Sequence, residues 1–495
     1  MTATVEATTP VFERELFIGN QWRPSSNGEY IPLVDPATEE TIGKVASASV
    51  ADVDAAVAAA REAFDNGPWP GMTPTERADA LVRWADEMEK DADTVTDLLI
   101  RETGIPYSVS RGGAVTMPGV LRYYASLAES IPMIETRKGL SGVTAQIERR
   151  PIGVVVAIIP FNAPLALAAF KLPQALLAGN CVIMKPSEDT PVSAGYFADA
   201  WLRAGLPAGV FNIVTALPEA SNHLVSHPGV DKITFTGSTD VGRRIAEAAA
   251  PTLKQLTLEL GGKSPAVVLD DASVERIVET MVPAMTSNNG EVCTMPSRLI
   301  VPESRKDEIV DALVEELKKV KVGDPHDPKT EVGPMVTEKH YNRVLGYLQS
   351  AVEQGGKFAA GGGRAEGFDK GFYVAPTVIT DVGPDARVAQ EEIFGPVLTV
   401  LTYKDEDEAL AIANGVEFGL SGAVYSSDQN RALEMARKIK SGTVNLNNGI
   451  TIDIGVPFGG VKQSGYGREL GPEGLEDFFE TRTIFIDGEP LRSLD

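Results

Sequence analysis

Only two cysteines, Cys181 and Cys293, and four histidines occur among the 495 residues. Two thiols cannot build the disulfide framework of a small secreted domain, so a reducing, cytoplasmic setting is expected. The histidines, His223, His227, His326 and His340, stand in "EASNHLVSHPG", "GDPHDPKT" and "VTEKHYN", contexts of surface helix or loop. None is marked as a base for a Cys–His hydrolase, and no His or Cys pair is read as a ligand set, so no metal site is expected. Basic residues are scarce relative to acids: 45 Lys and Arg against 69 Asp and Glu, a net charge of −24. That excess repels nucleic acid and anionic membrane surfaces, and neither is expected as a partner. The opening "MTATVEATTPVFEREL" lacks the basic start and apolar run of a secretory signal and the Arg-rich character of a transit peptide. It reads as a frayed end leading into a strand. Pro151 to Phe170 carries no charge and is long enough to suggest a membrane span, but Pro160, Asn162 and Pro164 interrupt it. A buried strand, a turn and a helix fit better.

A chain of this length exceeds one core, so two or three domains are expected. Ser49 and Asp52 have capping-box spacing, and Val53, Val57, Ala60 and Phe64 follow one helical face. A second helix is expected around 74–92, which makes the front of the chain helix-rich. From residue 152 strands and helices alternate: "IGVVVAII", then "PLALAAFKLPQALLAGN" as one helix, "CVIMK", "GVFNIVT" and "DKITFTGS". That alternation predicts an α/β fold whose parallel sheet is covered on both faces, a dinucleotide-binding architecture. A second α/β stretch runs from 263 to about 470, with helices at 303–319 and 428–440. The terminal "TRTIFID" is strand-like and needs an edge to pair with, for which a neighbouring subunit is one candidate.

A cysteine reacts as thiolate, which needs a lowered pKa or a nearby base. Cys293 follows Asn288, Asn289 and Gly290, a turn-forming cluster, and so sits on a loop; Cys181 opens an apolar strand and suits a packing role. A lone cysteine is more often packing than chemistry, and the histidines offer no partner. Glu259 is the better base: it ends the apolar "QLTLE" where ligands of α/β sheets bind, and partial burial would raise its pKa towards neutrality. A salt-bridged structural glutamate is the equal alternative from this motif alone.

"PFNAP" (160–164), "KPSEDTP" (185–191), "FTGSTDVG" (235–242), "LELGGKSP" (258–265), "GEVCTMPSR" (290–298), "EEIFGPV" (391–397) and "PFGGVKQSGYGRELG" (457–471) occur in this order. Together they resemble the NAD(P)-dependent aldehyde dehydrogenase superfamily, over roughly residues 15–490. The resemblance implies that Cys293 attacks the aldehyde, that Asn162 stabilises the oxyanion, and that Glu259 activates water to release the acid from a Cys293 thioester. Glu469 and Lys171 match positions proposed to relay protons; Glu469 is the rival base, and Lys171 is equally readable as a solvated helix residue. Cofactor contacts are implied for Ile158, Lys185, Glu188, Gly237, Ser238, Gly261, Glu392 and Phe394. The carboxylate of Glu188 beside an adenosine ribose favours NAD over NADP.

Implied channel positions are Ala163, Phe170, Val292, Thr294 and Ile452, an apolar set widened at Ala163. Phe161 stands where tryptophan is commonest, Glu291 replaces a frequent glutamine, and Thr294, Met295 and Pro296 replace small residues. The implied domains are an NAD-binding unit (1–131 and 151–262), a catalytic unit (263–475) and a small β oligomerisation element (132–150 and 476–495), giving a homodimer or homotetramer. The expected activity is oxidation of an apolar aldehyde to its acid. A CoA-acylating relative is the alternative enzyme, although such relatives generally lack the glutamate matching Glu259. A non-catalytic binding or structural relative is the other alternative, against which Cys293, Asn162 and Glu259 all stand.

Overall fold

The computed structural model describes residues 12–487. The expected frayed start before Phe12, and the end of the expected oligomerisation element, residues 488–495, lie outside that range. Five strands run parallel in the first unit: Val154–Ile158, Cys181–Lys185, Phe211–Ile213, Lys232–Thr236 and Gln255–Glu259. Helices cover both faces, which is why the central strands are continuous runs of Val, Ile and Phe without alternation. The register aligns Ile158 with Lys185 and Phe235, and Thr236 with Glu259. One row of side chains at the carboxyl edge of the sheet is thereby fixed.

The second unit centres on a sheet ordered Lys357–Ala360, Thr377–Thr380, Val397–Tyr403, Arg298–Pro302, Pro265–Val268, Ala423–Tyr425 and Asn445–Leu446. After it, the chain returns to the first unit. Gly465–Tyr466 pairs antiparallel with the end of Gln255–Glu259, and Phe458, Leu470, Leu475 and Phe478 join the first core. The return crosses the carboxyl edge of the first sheet and brings Glu469 over it.

The structure refines several sequence expectations. The helix-rich front of the chain, with four α-helices between Val50 and Leu127, is preceded by five short strands, and two of them, Leu16–Ile18 and Gln21–Arg23, extend the first sheet. Tyr107–Leu127 is a long helix that the sequence reading passes over, with Pro118 inside it. The single helix expected from Pro164 is two, Pro164–Ala169 and Leu172–Leu177. Pro173 has no N–H for the preceding turn, so the helix stops and restarts at Lys171, which turns inward. Finally, the terminal strand Phe479–Ile486 finds its edge within its own chain. It pairs along its whole length with Thr144–Pro151, which in turn pairs with Ile134–Lys138. Among the described residues no helix is long and apolar enough to cross a membrane.

Candidate active site

Three consecutive residues with positive φ aim the loop that carries Cys293: Asn288 (50°), Asn289 (59°) and Gly290 (75°). Side-chain amides compensate the two asparagines. Asn288 Nδ2 donates to the carbonyls of Asn162 (2.7 Å) and Glu291 (3.2 Å). Asn289 Nδ2 donates to Pro334 O (2.8 Å), while its Oδ1 accepts from Gly333 N–H (2.7 Å). A Cβ at Gly290 would lie 2.2 Å from the Gly395–Pro396 peptide, so only glycine fits. At Gly262 a Cβ would meet the Cys293 carbonyl at 2.3 Å. The nucleophile loop is thus pressed against the end of the first sheet.

Burial, followed by the nearby Glu392 and Glu259 carboxylates, pushes the Cys293 thiol up to about 12. The resting sulfur is therefore a thiol that must give up its proton to a base. Cys181, also held up to about 12 by burial, is fully enclosed in its strand and serves only packing.

The partners come from the first unit. Asn162 follows the strand Val154–Ile158, is buried, and donates through Nδ2 to Glu291 O at 2.7 Å, which fixes its amide on the Cys293 loop. Glu259 is 2% exposed, and neither of its oxygens has a hydrogen-bond partner. Burial, then the Glu469 carboxylate, raises its pKa well above the ordinary carboxylate range, against the pull of Lys171 and Arg468. Lys171 is not a solvated helix residue. It is fully buried, and its Nζ donates to Thr236 Oγ1 (2.7 Å) and to Glu469. Burial raises the Glu469 carboxyl as well, against the Lys171 ammonium.

Two cavities meet at the sulfur. One, of about 140 Å³, is lined by Phe161, Gly237, Ser238, Gly261, Glu392 and Phe394 among others. The second, of about 480 Å³, takes in all five implied channel residues: Ala163, Phe170, Val292, Thr294 and Ile452. Asn162, Leu167 and Cys293 line both. Of the unusual run after the nucleophile, Thr294 faces the channel with its hydroxyl unpartnered, whereas Met295 is buried in the second unit's core.

The first cavity suits a dinucleotide. Ser238 caps the helix Thr239–Ala249, whose N-terminal N–H groups favour an anion there. Glu392, fixed by Gly262 N–H to its Oε1 (2.8 Å), can accept from ribose hydroxyls, and Leu167, Leu260 and Phe394 supply apolar walls. Ile158, Lys185 and Glu188 do not line this cavity but stand beside it on the same carboxyl edge. Lys185 Nζ contacts Glu188 Oε2 at 3.1 Å. Burial works to raise the Glu188 carboxyl, but that ammonium, with backbone N–H groups, outweighs it and keeps the pKa low.

Two further residues of this region escape the sequence reading, and a third is sharpened. His340 is neither surface nor loop: it is buried in the helix Glu338–Glu353, burial holds its pKa down to about 4, and it lines the first cavity. Its Nε2 donates to Phe394 O (2.6 Å), which holds Phe394 at φ 65°. Arg343, three residues on, donates to Glu392 O at 2.8 Å. Glu291 is fully buried, accepts from Val336 N–H at 3.2 Å and lies 3.5 Å from His340 Nε2; burial raises its pKa well above the usual range. Only the spacing of His340 and Arg343 on one helical face hints at this in sequence. The reading that no histidine pair stands at ligand spacing is also corrected: His223 and His227, four apart, converge on Asp54.

The chain is similar to known proteins over nearly its whole length. The profile of the "Aldehyde dehydrogenase family" matches residues 22–484. Geranial dehydrogenase of Castellaniella defragrans is 42% identical over 476 residues, covering 96% of this chain and 99% of that protein. Human retinal dehydrogenase 2 is 41% identical over 489 residues, covering 95% and 91%. The crystal structure of a Mycobacterium tuberculosis aldehyde dehydrogenase complexed with NAD+ superposes with a TM-score of 0.94 at 42% identity, covering 97% of this chain and all (100%) of that one. A loop cysteine flanked by a small cavity beside a helix N-terminus and by an apolar channel is thus found in a chain that belongs to the aldehyde dehydrogenase family.

Proposed function

We propose that this enzyme oxidises apolar, bulky aldehydes to carboxylic acids with NAD, using Cys293 as nucleophile and Glu259 as base. The observation that carries the reading is the meeting of the two cavities at Asn162, Leu167 and Cys293. An aldehyde entering through the apolar channel would reach the sulfur on one side while the dinucleotide cavity opens on the other.

The Cys293 proton passes to a carboxylate as the sulfur adds to the carbonyl carbon, and Glu259, buried with both oxygens free, has the basicity for it. The developing alkoxide accepts from the Asn162 amide, already oriented by Glu291 O. NAD bound in the first cavity supplies a hydride acceptor. With the hydride passed to that acceptor, the Cys293 adduct would become a thioester, and Glu259, once the thiol proton has left it, would take a proton from the water that cleaves the thioester. Lys171 and Glu469 form a buried ion pair behind Glu259 that tunes its charge and gives the proton a route away. Lys185 and Glu188 hold the adenosine ribose, with Gly237 and Ser238 at the pyrophosphate and Glu392, Phe394 and Gly261 at the nicotinamide end. Replacing Glu188 by alanine should raise the NADP-to-NAD ratio of kcat/KM by roughly tenfold, since a carboxylate that repels the 2′-phosphate is gone. An unchanged ratio in parallel assays would remove Glu188 from cofactor choice.

The channel sets the substrate class. Its walls include Ala163, Ala166, Ala284, Val292, Ile450 and Phe458, with Glu279 the one charged lining residue. Behind Ala163, Ala166 and Asn288 lies a further cavity of about 220 Å³, closed by Leu99, Ile105 and Val109. Long or branched apolar tails gain most from such space. Two relatives are named for apolar aldehydes, geranial and retinal, which supports the same reading. An Ala163→Phe variant should therefore lose roughly tenfold or more in kcat/KM for long branched aldehydes, while short ones change little. Equal losses on both would mean that Ala163 does not face the tail.

The three-stranded sheet leaves Ile134–Lys138 and Phe479–Ile486 as free edges, with Phe485 70% exposed and Ile134 47% exposed. Such edges favour pairing with a second copy, so residues 132–150 and 476–495 are assigned to oligomerisation. Residues 12–131 with 151–262, joined by the returning segment 458–475, then form the cofactor domain, and the rest of 263–475 the catalytic domain. Unpaired Cys181 and Cys293 suit the cytoplasm.

A further inference from the structure

We propose that Asp54, His223 and His227 bind one borderline divalent cation (Zn²⁺, Co²⁺, Ni²⁺ or Cu²⁺) on the outside of the first unit. None of the three lines either active-site cavity. Asp54 projects from the helix Val50–Asp65, His223 from the helix Pro218–Ser226, and His227 immediately follows that helix. Four-residue spacing stacks the two imidazoles on one side of the helix end, with ring centroids 5.4 Å apart. His223 Nε2 lies 2.6 Å and His227 Nε2 3.4 Å from the same oxygen, Asp54 Oδ1. All three candidate ligand atoms fall within 4.8 Å of one another.

Two imidazole nitrogens and one carboxylate oxygen suit these metals, whereas Ca²⁺ and Mg²⁺ need more oxygens. Metal–ligand bonds of about 2.0–2.1 Å require donor atoms roughly 3–3.5 Å apart, so Asp54 must move by less than about 1 Å. Gly229 N–H donates to His227 Nδ1 at 3.0 Å, so in the metal-free protein Nε2 of that ring carries the proton. Binding shifts this proton to Nδ1 and breaks the Gly229 contact. On His223 the ring proton likewise moves to Nδ1, which frees Nε2 and Asp54 Oδ1 for the metal. That rearrangement weakens the site relative to a preformed tetrahedral one, and solvent completes the coordination. A bound cation would link the two helices and stabilise the folded state.

The test uses the tag-free, full-length enzyme titrated with Co²⁺ and, separately, Zn²⁺. Cobalt separates this site from Cys293, because a thiolate ligand adds a strong near-ultraviolet charge-transfer band that nitrogen and oxygen ligands lack. The expected result is one Co²⁺ per chain with weak visible bands only, and an unfolding temperature raised by Zn²⁺. Affinity should fall at least tenfold in His223→Asn and in His227→Asn, and less in Asp54→Asn, with aldehyde oxidation unchanged in all three without metal. Metal uptake that survives all three substitutions, or that shows the sulfur band and disappears in Cys293→Ser, overturns the proposal. So does the absence of uptake by the wild-type protein.

Discussion

Cys293→Ala should lose aldehyde oxidation by roughly a thousandfold or more, while binding NAD as the wild type does. The two halves of the result belong together. The substitution removes only the sulfur, and the loop that carries it is held independently, by Asn288 on Asn162 O, by Asn289 on Pro334 O, and by Gly262 under the Cys293 carbonyl. The dinucleotide cavity is built mainly from Gly237, Ser238, Glu392, Phe394 and His340, so it should persist. Cofactor binding followed by calorimetry, alongside NADH production with a long apolar aldehyde, reads both. Retained NAD affinity with no NADH burst fits a nucleophile. A fully active alanine variant would falsify covalent catalysis at this position. Loss of both activities would make Cys293 a packing residue like Cys181, the bland reading that a lone cysteine invites.

Much of the fold and part of the site were legible in the sequence, for different reasons. The buried parallel strands announce themselves as short apolar runs, because both faces are covered, with charge confined to their ends at Lys185, Lys232 and Glu259. "NNG" announces a turn, because Gly and Asn enter the left-handed region at least cost, and all three residues occupy it. The inward turn at Lys171 is harder. "PLALAAFKLPQALLAGN" has helical composition throughout, and only Pro173 hints at the break that makes the lysine a buried partner of Glu469. His340 and Arg343 are harder still. They reach the cavity through the packing of a helix some fifty residues beyond Cys293, and their shared helical face shows that they point together but not what they point at. The short N-terminal strands Leu16–Ile18 and Gln21–Arg23 likewise owe their existence to an available sheet edge more than to their own pattern.

Glu259→Gln should separate the two halves of the reaction. Sulfur addition and hydride loss precede hydrolysis, and the Glu392 carboxylate stands beside the thiol as a second proton acceptor, so the first turnover should still release about one NADH per chain as a burst. Steady turnover should then fall by roughly a hundredfold or more, the usual worth of a positioned general base. Glutamine keeps the shape and loses the basicity. The pH dependence follows from the direction of the shift. Glu259 works only as carboxylate, and burial with the Glu469 charge lifts its pKa well above the ordinary range. Wild-type turnover should therefore be lost as pH falls through that raised pKa, and this limb should vanish in the glutamine variant. Glu469 is the competing base, and the geometry ranks the two. One Glu469 oxygen is engaged by Lys171 and approached by Thr234 Oγ1 at 3.4 Å, leaving only its Oε2 unpartnered, whereas no side chain engages either Glu259 oxygen and only the Gly460 N–H acts on that carboxylate. A base that must accept a proton from water needs a desolvated oxygen that no side chain engages, and Glu259 has two. If Glu259→Gln turns over normally and Glu469→Gln does not, the roles are reversed, and the free oxygens of Glu259 must serve some purpose other than hydrolysis.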